Sequence, residues 1–560
     1  MKRRWKWLGA SVLVLAAGTG LAAANRTTIL SMIARAQMPP VEDNRAVTWA
    51  QGPQAPAEGE RPPNVVFILA DDLGYNDITI NGGGVANGAV STPNIDAIGQ
   101  QGVVFAAGYA GNATCAPSRA AIMTGRYPTR FGFEFTPAPV AFERMVGTEA
   151  EPGAIVKPKF FADRIKDMPP GSTARNPAAV NELSMPSSEI TIAEVLKAKG
   201  YHTVHLGKWH LGGKKGSRPE DQGFDESLGF IAGGSMFLPE KDPNVVNSKQ
   251  DWDAIDRFLW PNLPYGVQFN GSPMFRPRGY MTDYLGDEAV KAIKANRNRP
   301  FFLYFAPNAI HTPLQATKAD YDALPQIKDH RTRVYGAMTR NLDANIGKIL
   351  QALKDEGLDE NTLVIFSSDN GGAGYVGLPD VNKPYRGFKS TFFEGGVRTP
   401  FFMRWPGAIQ PGSTYGYPVG HIDIFATAAA AGGAALPTDR PIDGVDLLPH
   451  VQGKNPARPH QTLFWRSGQY KAVLDGDWKL QVNGARDKAW LYNLASDPTE
   501  QRDMAAAQPE KVKALKELIA RQDAQSVKPI WPSLLQGPVL IDKPGGVPQK
   551  ASDEYILWDN

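Results

Sequence analysis

Four short apolar runs each end in polar residues able to bind an anion or a metal, and this repeated plan restricts the architecture more than any other feature. Val65 to Leu69 runs into Asp71 and Asp72, and Tyr201 to Leu206 into Lys208, Trp209 and His210. Phe301 to Phe305 leads through Pro307 and Asn308 to His311, and Leu363 to Phe366 ends at Asp369 and Asn370. Runs this short, rich in β-branched and aromatic residues, read as strands. Helical stretches such as Ile190 to Lys199 and Arg340 to Glu356 intervene, so the pattern predicts an α/β unit with a largely parallel sheet. Ligands in such sheets collect at the carboxyl ends of strands, which would bring all four polar clusters to one edge.

The expected organisation is a leader over 1–24, a linker over 25–63, a catalytic body over 64–455 and a smaller C-terminal unit over 456–560. In the last, Thr462 to Trp465, Tyr470 to Leu474, Trp478 to Val482 and Trp490 to Tyr492 read as strands of a small antiparallel sheet. Pro509 to Gln522 reads as an amphipathic helix with Val512, Leu515, Leu518 and Ile519 on one face. Trp531 to Asn560 holds too many prolines and glycines for a regular element, although Trp531, Leu534, Leu535, Ile556 and Trp558 could pin it to the surface.

The N-terminus is basic from Lys2 to Lys6 and then apolar and uncharged from Trp7 to Ala24, with Ala22 and Ala24 offering a small-residue cleavage site. This is the pattern of an export signal; an uncleaved membrane anchor is the alternative. Either places the body outside the cytoplasm, periplasmic or secreted. The formal charge of +3 is smaller than the four cations Lys2, Arg3, Arg4 and Lys6, so the remainder is marginally acidic and no nucleic-acid partner is implied.

Cys115 is the single cysteine of 560 residues, so it cannot form a disulfide within the chain. It opens the run Cys115, Ala116, Pro117, Ser118, Arg119, with Thr124 and Gly125 following. Proline near a helix start and glycine past its end predict a short helix over Pro117 to Thr124 with Cys115 before its N-terminus. Free amides there favour anions and thiolates, whereas an isolated cysteine is usually a small buried hydrophobe. Adjacent aspartates are usually a solvated turn, but Asp71 and Asp72 recur with Asp369 and Asn370 at two strand ends. Three carboxylates and an amide oxygen make a hard oxygen site suited to calcium, with magnesium as the alternative.

The run Cys-x-Pro-Ser-Arg, four residues, then Thr-Gly resembles the signature of the type I sulfatases of the alkaline-phosphatase-like superfamily. Other motifs match in order: Gly207 to Gly212 is similar to the family's Gly-Lys-Trp-His-Leu-Gly, His311 to its second histidine, and Lys389 before Glu394 to Arg398 to its second lysine. Phe388 departs, since many members carry glycine there. The resemblance implies a large mixed, mostly parallel sheet flanked by helices with a smaller C-terminal α+β domain. It implies that a maturation enzyme converts Cys115 to formylglycine, and that Asp71, Asp72, Asp369 and Asn370 bind the divalent cation. One hydroxyl of the hydrated aldehyde would attack sulfur, giving a sulfated enzyme. Arg119 and Lys208 would fix the hydrate, Asp369 would accept a proton, and His311 with Lys389 would protonate the leaving alcohol. His210 would take the proton of the second hydroxyl and expel sulfate; Lys208, His311 and Lys389 would contact substrate.

The implied activity is hydrolysis of sulfate monoesters, an aryl sulfate or a sulfated glycan. Alternatives are a formylglycine-dependent phosphonate or phosphate ester hydrolase, and a protein on the same fold that binds sulfated glycans without turnover. Two long irregular stretches, Thr136 to Glu182 and Gly233 to Arg278, are expected to wall the pocket. The second holds Phe237, Trp252, Phe258, Trp260, Tyr265, Phe269 and Phe275, which suit sugar rings, aryl groups or simple anchoring equally.

Overall fold

A nine-stranded sheet runs through the computed structural model, which describes residues 40–56, 59, 61–174 and 177–560. Its order is Ser413–Tyr415, Val103–Phe105, Phe401–Arg404, Thr362–Ser368, Asn64–Ala70, Phe301–Ala306, His202–Lys208, Glu226–Phe230 and Gln268–Phe269. The five strands from Thr362–Ser368 to Glu226–Phe230 are mutually parallel, which aligns their carboxyl ends as the four runs predict. From Asn64–Ala70 the chain passes first to Val103–Phe105 on one side and then to His202–Lys208 on the other. Connections leaving in opposite directions open a crevice beyond residue 70.

Both faces of the parallel strands are covered, which is why the runs are continuously apolar. Val66 and Ile68 face helices Pro93–Gln100, Met281–Ala295 and His330–Asp355. Val65, Phe67 and Leu69, one residue out of phase, face helices Cys115–Thr124, Ile192–Ala198 and Ile422–Ala431. The helix expected from Arg340 begins ten residues earlier. The Asp329 carboxylate accepts from the Thr332 amide at 2.8 Å, and Val334, Tyr335 and Met338 add a buried turn. Cys115 also sits inside its helix as the first residue, not before it.

Thr462–Ser467, Tyr470–Asp475, Trp478–Asn483 and Lys488–Asn493 form the expected antiparallel sheet. Leu515 and Ile519 of helix Pro509–Asp523 pack on Val473, Leu480 and Leu491. The tail differs from expectation: Leu535–Leu540 pairs antiparallel with Tyr555–Asp559 and, at its start, with Lys159–Phe160. Pro538 is tolerated because the second partner reaches only Leu535 and Gln536, leaving its nitrogen on an open edge. Prolines and glycines concentrate in the connection over 541–554 instead. Trp531, Leu534, Leu535, Ile556 and Trp558 are buried. In the stretch before Asn64, Trp49 is buried and its Nε1 donates to Glu288 at 2.9 Å. The leader lies outside the described residues.

A buried ion cluster ties the C-terminal sheet to the segment carrying Lys389. Lys479 Nζ lies 2.7 Å from Glu394 Oε1 and 3.2 Å from Glu500 Oε1, and all three residues are 0% exposed. The Glu394 amide donates to Glu500 at 2.6 Å. Burial, opposed by Lys479 and aided by Glu394, holds the Glu500 carboxyl up at about 7. Lys479→Met should leave buried Glu500 without its cation, while Glu394 keeps Arg398 at 3.0 Å, and destabilise the fold by about 3–5 kcal/mol at pH 8. An acid whose folded value lies above its unfolded one binds its proton more tightly in the fold. The part of the deficit carried by Glu500 should therefore shrink as pH falls to about 7, below which the folded wild type carries the same proton, as read by denaturant titration at several pH values.

Candidate active site

The site is built where the parallel strands end. Asp71 and Asp72 follow Ala70, and Asp369 and Asn370 follow Ser368. Lys208 is the last residue of its strand, and His311 closes the loop after Ala306. The Asp71 amide donates to the Ala309 carbonyl at 3.0 Å and the Ile310 amide to the Asp71 carbonyl at 2.8 Å, which stitches the His311 loop to the first strand end. The Asp369 amide donates to the Ala70 carbonyl at 3.1 Å. Asp72, His210 and Ser390 hold positive φ (61°, 60° and 70°), a strained conformation for residues with a Cβ. Such strain persists where the surroundings fix it, and it clusters at functional sites.

Cys115 and Arg119 are one helical turn apart and project together toward the strand ends. Arg119 Nε donates to Asp369 Oδ2 at 3.0 Å, and a guanidinium nitrogen lies 2.8 Å from the same oxygen. Its Nη1 donates to the Lys208 carbonyl at 3.0 Å and to the Tyr304 hydroxyl at 3.3 Å. Lys208 Nζ donates to both oxygens of Asp71, at 3.0 and 2.7 Å. Asp72 is the second centre. It receives Asn370 Nδ2 at 2.8 Å, the Tyr375 hydroxyl at 2.9 Å and Lys389 Nζ at 2.8 Å, with His311 Nε2 at 3.7 Å and Cys115 Sγ at 3.9 Å. The structure thus brings together Asp71, Asp72, Cys115, Arg119, Lys208, His311, Asp369, Asn370 and Lys389, while His210 makes no hydrogen bond to this cluster among the described residues.

Three carboxylates and the three cations Arg119, Lys208 and Lys389 cancel formally. A divalent ion would leave the site positive, as an anionic ester requires. Fit to such an ion is shown by the Asn370 Oδ1, which is buried with no hydrogen-bond partner among the described residues and lies beside Asp72. Ligand atoms of Asp71, Asp72, Cys115 and His311 also lie within 4.8 Å of one another. Asp369 offers the set less, since Arg119 occupies one of its oxygens.

Burial and charge set opposite characters for the two histidines. Burial lowers the His311 value, but Asp72 opposite more than restores it, so the imidazolium is favoured. His210 is held well below its ordinary value by burial and by Lys208 and Arg119, so it is neutral; its Nδ1 is buried and unpartnered among the described residues. His311 Nδ1 faces the Thr312 carbonyl at 2.6 Å, which leaves Nε2 toward Asp72. Burial would raise the Cys115 thiol, yet Lys208 and Lys389 bring it down to about 7. Burial and the neighbouring Asp71 push Asp369 up to about 6 against the pull of Arg119.

Sequence reasoning missed Tyr375, Tyr304 and the role of His421. Buried His421 joins Ser118 on the Cys115 helix, at 3.1 Å, to Ser367 beside the Asp369 strand end, at 2.9 Å. These residues sit in runs without distinctive spacing, and their partners are far along the chain. His202 and His205 are structural, facing Glu226 at 2.7 Å and Ser227 at 2.9 Å. The second long loop reaches the site, where Gly233 packs on the His210 ring, and Phe142 of the first loop meets Phe258 of the second at 5.2 Å.

A family model described as Sulfatase matches residues 63–434. N-acetylgalactosamine-6-sulfatase of Mus musculus is 33% identical over 440 residues, 76% of this chain and 73% of that protein. Arylsulfatase A of Homo sapiens is 31% identical over 508 residues, covering 82% and 87%. Among solved structures, that of Ps i-CgsB in complex with k-i-k-neocarrahexaose aligns with a TM-score of 0.67 at 28% identity, covering 84% of this chain and 95% of that one.

With one cysteine in the chain, ultraviolet thiolate absorbance reports Cys115 alone. In unmodified, metal-free protein half-ionisation should fall near pH 7. Lys389→Met should move it upward, because a cation that favours the thiolate is gone. An unmoved titration would reject the close approach of Lys389.

Proposed function

The chain belongs to the sulfatase family and hydrolyses sulfate esters, and from this we propose that Cys115, matured to formylglycine by a separate enzyme, supplies its nucleophile. The observation that carries the assignment is the convergence of Cys115, Lys389 and His311 on Asp72 at 3.9, 2.8 and 3.7 Å. The hydrated aldehyde supplies one hydroxyl for attack on sulfur and a geminal hydroxyl for later release of sulfate. Asp71, Asp72, Asp369 and the Asn370 Oδ1 would hold a divalent cation, with calcium favoured, and it supplies positive charge against the sulfuryl oxygens and the attacking hydroxyl.

The protein's own groups divide the remaining work. Arg119 and Lys208, fixed by Asp369 and Asp71, hold the side chain of residue 115 in place. Lys208 and Lys389 offset charge building on the sulfuryl group, in a setting where buried donors act strongly. His311, cationic by virtue of Asp72 and aimed by its Nδ1 contact, holds at Nε2 the proton for the departing alcohol. Neutral His210, with a free Nδ1, takes the proton of the second hydroxyl.

The substrate class we infer is a sulfated sugar. Support comes from the names of relatives, an N-acetylgalactosamine-6-sulfatase and a protein complexed with a neocarrahexaose. The chain is read as an exported protein with a catalytic body over 64–455 and a C-terminal domain over 456–560. Its basic-then-apolar N-terminus supports export. Among the described residues no helix is long and apolar enough to cross a membrane.

Mass measurement of the peptide holding residue 115, from protein coexpressed with a maturation enzyme, should show the aldehyde; an unchanged thiol in active protein overturns the mechanism. Cys115→Ser should abolish turnover and accumulate a sulfated serine, because a plain alcohol has no geminal hydroxyl. His311→Ala should lose about 10²–10⁴-fold on esters of poor leaving groups and far less on esters whose alcohol leaves unprotonated. Equal losses on both would reject the acid role. Chelation of the cation should lower both activity and melting temperature, with calcium restoring them, and Asp72→Asn should blunt the thermal response.

A further inference from the structure

Tyr375 lies on the short turn Gly374–Val376, outside the motifs matched in the sequence. Its hydroxyl donates to Asp72 Oδ2 at 2.9 Å and accepts from Lys389 Nζ at 3.3 Å. Its ring is half-buried, whereas Asp72, Lys208 and Asp369 behind it are buried. It therefore stands on the open side of the cluster.

The turn is held as a built element. Gly374 O accepts from the Gly545 amide at 2.8 Å, Tyr375 O from Trp252 Nε1 at 3.3 Å, and Gly377 O from Arg331 Nη1 at 3.2 Å. Those donors come from the tail, from the second long loop and from the start of helix His330–Asp355. On the remaining side the Phe388 ring lies against Gly374, where an added Cβ would come within 2.9 Å of Phe388 Cγ. Phe388 is the residue that departs from the family's usual glycine, so the departure is used to seat the turn beside Lys389. Three distant segments and this ring fix where the Tyr375 hydroxyl points.

We propose that Tyr375 is a further substrate-contacting residue, its hydroxyl sharing with Lys389 Nζ one sulfuryl oxygen of the bound ester. The proposal rests on the sulfatase reading, which places Lys389 on the sulfuryl group. A hydroxyl 3.3 Å from that ammonium can reach the same oxygen. Turning the O–H from Asp72 to the incoming anion needs rotation about one bond and no movement of the turn. The contact would be a hydrogen bond to a charged acceptor, stronger than a neutral pair. It forms with the ester and with product sulfate alike, so it acts in binding more than in the chemical step.

The test uses full-length protein whose residue 115 has been shown by mass to be converted, with inorganic sulfate as the binding probe and an aryl sulfate as substrate. Tyr375→Phe keeps the ring and should raise the calorimetric Kd for sulfate and the KM by about tenfold, with kcat within about threefold and an unchanged pH profile. Trp252→Phe, which frees the Tyr375 carbonyl without touching the site, should raise both by a smaller factor, about twofold to threefold. Unchanged sulfate Kd and KM in Tyr375→Phe would overturn the proposal, as would a fall in kcat alone, which would mean that Tyr375 merely positions Lys389. Converted wild-type protein that neither binds sulfate nor cleaves esters would instead reject the sulfatase reading, and the proposal with it.

Discussion

Five formal charges sealed from water at the ends of two neighbouring strands and their flanks, with half-buried Lys389 at their edge, are the constraint on which the rest of the structure depends. Moving a carboxylate or a guanidinium out of water costs several kcal/mol even after relaxation, and only close pairing with hydrogen bonds offsets it. Arg119 meets this by spending its fork on Asp369, the Lys208 carbonyl and Tyr304, while Lys208 closes on Asp71. None of these pairs is local in sequence, so the helix carrying Arg119, the strand carrying Lys208 and both aspartate-bearing strand ends must be in place together. The sheet register that aligns Ala70 with Ser368 is thereby tied to the chemistry.

The same economy explains why the C-terminal sheet is part of the enzyme and not an appendage. Lys389 and Ser390 lie on a loop with few regular hydrogen bonds, and a mobile ammonium could not serve a buried anion. Fixation comes from behind, through Lys479, Glu500 and the Glu394 amide, and through Phe392 stacked on Tyr470 at 4.5 Å. Asp77 braces the opposite edge by accepting from the Gly74 amide and the Tyr335 hydroxyl.

What was legible in the sequence followed from local rules. Val65 to Leu69 and Leu363 to Phe366 announced strands by composition, and the polar residues after them fell at one edge because parallel strands share a direction. Cys115 to Gly125 announced a helix by its punctuation. Illegible features depend on partners remote in the chain. The tail strands read as irregular because its prolines and glycines, Pro538 among them, oppose pairing, and nothing local says that the Pro538 nitrogen lies on an open edge. Tyr375 follows a glycine pair that reads as a turn, and only the fold brings its hydroxyl to Asp72. His421 sits in a run with no motif around it, yet it holds Ser118 to Ser367 across two elements.

The aromatic residues of the second long loop sharpen the question of which alcohol the site accepts. Phe237 stacks on Tyr280 at 5.4 Å, and Phe258 meets Phe142 and Phe269 meets Trp49 edge to face, the latter at 5.4 Å. Arg45 lies over Phe275, Lys249 over Trp260, and the Tyr265 hydroxyl donates to the Pro277 carbonyl. Trp252 has Arg331 over its ring, 4.3 Å from the centroid, and Gly546 so close that a Cβ there would touch it. Each of these aromatics thus has a partner within the protein, and Phe237, Trp260 and Phe275 are buried by it, whereas Trp252, Phe258, Tyr265 and Phe269 keep part of their surface open. The number of these rings therefore does not by itself name the alcohol released, because anchoring of the long loop is one use of them.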